Sequence, residues 1–256
     1  MKTLVCVFLI LFSFNSADKY PTKHGKPTPK GIGMYVEDNQ YKLIEEYQEY
    51  INDTLWLEVW IVAEDLTDYV GHDSLELGRY EYDGLIYIDQ DTSFLDYELG
   101  DWSKFRRSTN GESNKFVKGV VFHELTHHYI NQIGKEMKYQ DSIRVNRAYQ
   151  TGIWIIRDPA IFGSIFIEEG ICEYMVGKMG EIIPPKRFPA PKNTRALNNP
   201  VNKYKYVYKY SSEYLRVFLD TTGFKEGVKI LLSNEPPNQN EIIEPELFFN
   251  RLEYDR

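Results

Sequence analysis

Cysteine is almost absent. The 256-residue chain has two, Cys6 and Cys172, and Cys6 lies in an N-terminal apolar run. Once that run is removed no intramolecular disulfide can form, so stability must come from a hydrophobic core, which a chain of this length can bury. Positive charge is also short: 30 Lys and Arg face 38 Asp and Glu, a formal net charge of −8. Such a balance attracts neither a phosphate backbone nor an anionic lipid surface, so nucleic acid and membrane partners are not expected. The longest apolar run, "TLVCVFLILF" near the N-terminus, falls short of the roughly 20 residues that span a bilayer. Internal repeats and low-complexity arrays are missing too. What is present, 42% apolar and 27% charged residues with 20 tyrosines, is the composition of a globular protein. The tyrosines favour a body with an aromatic cleft.

Lys2, the apolar run and the small-residue stretch "SFNSA" before Asp18 have the order of a secretory signal peptide, residues 1–17, with cleavage near Ala17. Cys6 lacks the small residues that a lipid-attachment site wants before it. The expected product is a secreted or periplasmic monomer, free of the membrane, with 29 basic residues against 38 acidic ones. Residues 18–33, rich in Pro, Gly and Lys, read as an extended leader. Residues 34–256 read as one domain, with an α/β part over about 34–134 and a helical part over about 135–256. Tyr41, Ile44, Tyr47 and Ile51 recur at helical spacing. "LWLEVWIVAE" (55–64) and "DGLIYIDQD" (83–91) read as strands. Helices are expected at about 113–132, closed by Gly134, then at about 163–179, 207–221 and 224–233. Strands first and helices after make an α+β layout. A loop from Asp89 to Gly100 lacks the Gly and Glu of a calcium loop and reads as a solvated turn. Asn52-Asp53-Thr54 is a glycosylation sequon.

The chemistry-bearing stretch is "VVFHELTHHYIN", residues 120–131. On a helix, His123 and His127 share one face and can aim ring nitrogens at a common point, with Glu124 beside them. Zinc suits neutral imidazole plus a carboxylate. His128 points off that face and reads as a surface residue or a supporting one. Two histidines leave a metal site incomplete, and Ile130 and Ile133 stand where a Gly and a third His would complete one family of such sites. A later helix offers carboxylates instead. Its "EEGICEY" carries Glu168, Glu169 and Glu173.

H-E-L-T-H followed by E-G-I-C-E-Y resembles the gluzincin metallopeptidases, the thermolysin- and aminopeptidase-like clan, over roughly residues 84–233. The resemblance implies a zincin-like fold: a small mixed sheet with an edge strand, then a mainly helical lobe, with the zinc site on two helices. It implies one Zn2+ per chain held by His123, His127 and Glu169, with Glu173 orienting a histidine. Glu168 fits the ligand's place less well, since Cys172, which could not orient a histidine as a carboxylate does, stands four residues on. Between His127 and Glu169 lie 41 residues, longer than in many members. The implied activity is hydrolysis of peptide bonds in a peptide or protein substrate, with Glu124 as general base. "YKYSSEYLRVF" is similar to the clan's Tyr-x-Lys-Gly helix start, putting Tyr208 on the functional tyrosine and Ser211 on the glycine, with Tyr210 where the lysine stands. The clan's Gly-x-Met-Glu-Asn edge strand corresponds here to "GLIYID", which lacks the glutamate, so an endopeptidase is preferred to an aminopeptidase. The alternative is a secreted binding or adhesion module that zinc stabilises without catalysis.

Overall fold

The computed structural model describes residues 30–64, 78–81, 84–89, 111–137, 159–178, 188–199 and 205–254. The signal peptide and its cleavage point, the calcium-like loop beyond Asp89, and most of the segment between the two motif helices lie outside these residues. No helix among the described residues is long and apolar enough to cross a membrane.

Helix α1, Lys30–Ile51, begins four residues before the expected end of the leader, so residues 30–33 are helical rather than extended. Pro29 precedes it in sequence, and proline disfavours helix at the residue ahead of it, which suits a helix start here. Its buried stripe is Val36, Leu43, Tyr47 and Ile51. Tyr41 faces solvent at 69% exposure, which corrects its place in the expected face. The helix ends at Asn52, whose φ of 52° is the left-handed conformation that asparagine tolerates as a cap.

Strand β1 covers only Trp60–Glu64, not the whole apolar stretch from Leu55. The reason lies in a side chain: Gln132 Oε1 accepts the N–H groups of Trp56 (2.8 Å) and Leu57 (3.4 Å), and Gln132 Nε2 donates to the Thr54 carbonyl (2.9 Å). Backbone groups taken by a helix side chain cannot join a ladder. Strands β2, Gly78–Glu81, and β3, Leu85–Asp89, complete a three-stranded sheet among the described residues, in the order β1-β3-β2. The sheet is mixed: β1 runs parallel to β3 with Trp60 opposite Leu85, and β2 runs antiparallel with Gly78 opposite Ile88. Among the described residues "GLIYID" is therefore the central strand, paired on both sides, rather than the edge strand that the resemblance implies; the edges are β1 and β2, of which the sequence pattern did not reveal β2. Gly84, at φ 97°, makes the entry to β3.

Helix α2, Gly111–Glu136, is central among the described residues, touching α1, β2, β3 and the later helices over Pro159–Lys178 and Phe224–Ser233. Its buried residues include Val117, Val121, Phe122, Leu125, Tyr129 and Ile133. Gly134 lies inside the helix rather than ending it; a Cβ there would meet nothing, so its cost is limited to about 1 kcal/mol of helix propensity. Helix α3, Pro159–Lys178, opens on a proline, whose missing N–H has no partner to lose in a first turn. Helix α4, Thr194–Leu197, is a single turn capped by Asn193. A π-helical turn, Tyr206–Tyr210, runs into α5, Ser211–Thr222, followed by α6, Phe224–Ser233. Two helices that the sequence reading stopped short of finish the described chain: α7, Gln239–Ile243, and α8, Pro245–Tyr254. They belong to the core, since Ile242, Phe248 and Leu252 are buried. The arrangement is mixed, mostly helical with one small sheet, which agrees with an α+β layout.

Candidate metal centre

The two motif helices pack directly against each other, and side chains from both meet in a buried cluster. The Nε2 atoms of His123 and His127 lie 3.2 Å apart. Their other ring nitrogens face carboxylates: His127 Nδ1 is 2.9 Å from Glu168 Oε1, and His123 Nδ1 is 3.3 Å from Glu173 Oε1. A carboxylate on Nδ1 makes that nitrogen the donor, and in a neutral imidazole this leaves the lone pair on Nε2. Both lone pairs then face one point.

That point has a third corner. Glu169 Oε2 lies 3.1 Å from His123 Nε2 and 3.8 Å from His127 Nε2. It is buried and has no aligned hydrogen-bond partner; His123 is close enough for an ion pair but off the line of a hydrogen bond. A tetrahedral ion bound at about 2.0–2.2 Å spaces its nitrogen and oxygen ligands about 3.4 Å apart. Separations of 3.1, 3.2 and 3.8 Å bracket that value. Three acceptor atoms this close repel one another unless a cation or protons sit between them. Cys172 also lies near the two rings, its Sγ and one ring nitrogen of each histidine all within 4.8 Å of one another. His123, His127 and Cys172 thus form a group that could hold a metal ion, and Glu169 faces the two imidazoles from the same helix.

Electrostatics follow the geometry. Burial alone would lower the His123 pKa, but the Glu169 and Glu173 carboxylates outweigh it and hold it well above the ordinary value. His127 is raised in the same way, by Glu169 and Glu168 against burial. Burial pushes the Glu169 pKa up, but His127, His123 and a hydrogen bond from Tyr208 together bring it below normal. The Cys172 thiol is pushed up by burial and by the surrounding carboxylates. Four glutamates around two imidazoles make a site that favours positive charge, carried by protons on the rings or by a cation.

Each residue singled out in the sequence has a definite position. Glu124 is 6% exposed, next to His123, whose pKa its charge helps to raise. Glu173 faces His123, and Tyr208 bonds Glu169. Tyr208 sits in the π-helical turn, a rare form that often re-aims side chains at functional sites. Tyr210 instead packs in the core against Phe166, Tyr206 and Tyr214, its pKa raised to about 12 by burial. Gly170 explains how that turn comes so close: a Cβ there would lie 2.8 Å from Ser211 Cβ, so a bare backbone lets α5 cross α3 at Glu169. His128 is corrected. It is buried rather than on the surface, bonded to the Leu57 carbonyl at 3.2 Å and edge-on to Tyr80, and burial lowers its pKa to about 4.

Two residues were missed as site members. Glu168 faces His127 Nδ1 at 2.9 Å; the sequence reading weighed it only as a ligand, against Glu169, and not as the partner of a histidine. Cys172 faces the site although nothing in its spacing marked it as a ligand. No family model, curated protein or solved structure matches the chain.

Proposed function

We propose that the protein is a zinc-dependent hydrolase of peptide bonds. The observation that carries this reading is the convergence of His123 Nε2, His127 Nε2 and the buried Glu169 Oε2 at 3.1, 3.2 and 3.8 Å, with a carboxylate, Glu124, beside them. Two imidazoles and a carboxylate are a donor set that zinc accepts while keeping a place for substrate. Zinc, when bound, supplies a Lewis acid that polarises a carbonyl and makes a neighbouring water more acidic. The chain's own residues do the rest. Glu168 and Glu173 fix the two imidazoles, so that their ligating nitrogens need no reorganisation. Glu124 takes a proton from the attacking water as its oxygen bonds to the scissile carbon. It then returns that proton to the nitrogen as the C–N bond breaks, so one carboxylate serves as base and then as acid. The Tyr208 hydroxyl is held at the ligand carboxyl group, where it can turn to donate to the carbonyl oxygen as negative charge develops there. An endopeptidase action on extended chains remains the preferred form.

A second reading rests on Cys172. If its thiolate joins the other three residues, the coordination shell closes, and the zinc stabilises a binding or adhesion module without catalysis. One comparison separates the two. Wild type and Glu124→Gln are loaded with zinc and assayed on casein and a peptide library. The hydrolase reading expects zinc in both and turnover in wild type alone. Zinc in both and turnover in neither supports the module, and turnover in both removes Glu124 from the reaction.

A further inference from the structure

We infer that Gly78 is a positioning residue for Glu124. By presenting bare backbone, it lets the edge strand lie against the Glu124 side chain and keeps the carboxyl group beside the histidine pair. This rests on the reading of Glu124 as the base. Gly78 opens β2, opposite Ile88 of the central strand. A Cβ at Gly78 would lie 2.8 Å from Glu124 Oε1, 2.9 Å from Glu124 Cγ and 2.9 Å from Val120 Cγ1. All three are too short for carbon in van der Waals contact. The glycine is not there for its conformation, because the positive-φ glycines among the described residues are Gly84 and Gly223. It is there for space.

The strand cannot simply retreat from an added methyl group. Two residues on, and so on the same face of β2, Tyr80 is 2% exposed, its ring edge-on to His128 and its hydroxyl 2.7 Å from Asn131 Nδ2. Both partners belong to the helix that carries Glu124. Val120, one helical turn before Glu124, closes the other side. What must move is therefore the Glu124 side chain, which has little room because it is 6% exposed. A base displaced by a fraction of its own length loses reach to the water it must deprotonate.

The test is a double-mutant cycle of Gly78→Ala with Glu124→Asp, read by kinetics, zinc content and urea unfolding. Shortening the base by one methylene withdraws it from the added methyl. Gly78→Ala should lower kcat by about tenfold or more, short of the roughly 10²–10⁴ that a general base contributes, with KM and zinc content unchanged. In the Glu124→Asp background it should cost no more than about twofold, the scatter of independent sites. The part of the stability lost in Gly78→Ala that comes from Glu124 should likewise be recovered when Glu124 is shortened, leaving only what the contact with Val120 Cγ1 costs. Gly134→Ala, into open space, is the control that leaves kcat unchanged. Equal losses in both backgrounds overturn the inference, since Gly78 would then act through the fold at large. If wild type cleaves no peptide, the hydrolase reading falls on its own, while the unfolding comparison still decides whether Gly78 seats Glu124.

Discussion

Removing the Glu169 carboxylate should strip the metal, and the size of the loss follows from the site. Zinc bound by a full protein set is worth about 10–16 kcal/mol near neutral pH, so one donor among roughly four contributes about 2.5–4 kcal/mol, or about 10²–10³ in Kd. Glu169→Ala should weaken zinc binding by that factor. The carboxylates that orient the imidazoles should matter less, about 10–100-fold each. Glu168→Ala should cost more than Glu173→Ala, because Glu168 sits 2.9 Å from His127 whereas Glu173 sits 3.3 Å from His123. Metal-free protein titrated with zinc against a chromophoric chelator gives these constants, and elemental analysis gives the stoichiometry, expected to be one per chain. Cys172→Ala is the decisive companion. If it loses about 10²-fold or more while Glu169→Ala binds like wild type, the third ligand is the thiolate and the reasoning from oxygen–nitrogen distances is refuted. A larger loss in Glu168→Ala than in Glu169→Ala would move the ligand by one residue.

Tyr208→Phe should lower kcat by about 10²–10³ while zinc stays bound, and Tyr210→Phe, altering a core ring, should leave kcat alone; the reverse outcome in steady-state assays would reject the placement of Tyr208. Gly170→Ala should destabilise the protein by about 1–3 kcal/mol in urea unfolding, because its Cβ would meet Ser211 at 2.8 Å; unchanged stability would mean that the close crossing of α3 and α5 is not needed. Glu241 has a pKa held below the ordinary value, since burial raises it but hydrogen bonds from Arg251 and the Asn238 N–H outweigh that. Its contribution is therefore complete above the unfolded-state value and disappears as pH falls through the lower folded-state value. Glu241→Gln should lower Tm at neutral pH, and the gap to wild type should close in acid; a gap independent of pH would contradict this.

The parts legible in the sequence were those decided within one element. Four-residue spacing on a helix puts His123 and His127 on one face whatever surrounds them, and the later helix with its acidic turn follows from its own apolar run. The existence of the central strand also followed, although the stretch read as a strand was 83–91 and the strand covers Leu85–Asp89. Tertiary structure decided the rest. Strand β1 is short because Gln132, more than 70 residues away, captures the backbone before it. Strand β2 has only four residues, too few to show a period. Glu168 and Glu169 are neighbours in sequence but point about 100° apart around a helix. Each can therefore meet a different imidazole one turn apart, and which one it meets depends on how α2 and α3 cross. Cys172 joins the site, and Tyr208 rather than Tyr210 reaches it, for the same reason. Helical periodicity is a property of the backbone and survives without neighbours, whereas contacts between side chains with 41 residues between them, such as His127 and Glu169, exist only once the core around them has packed.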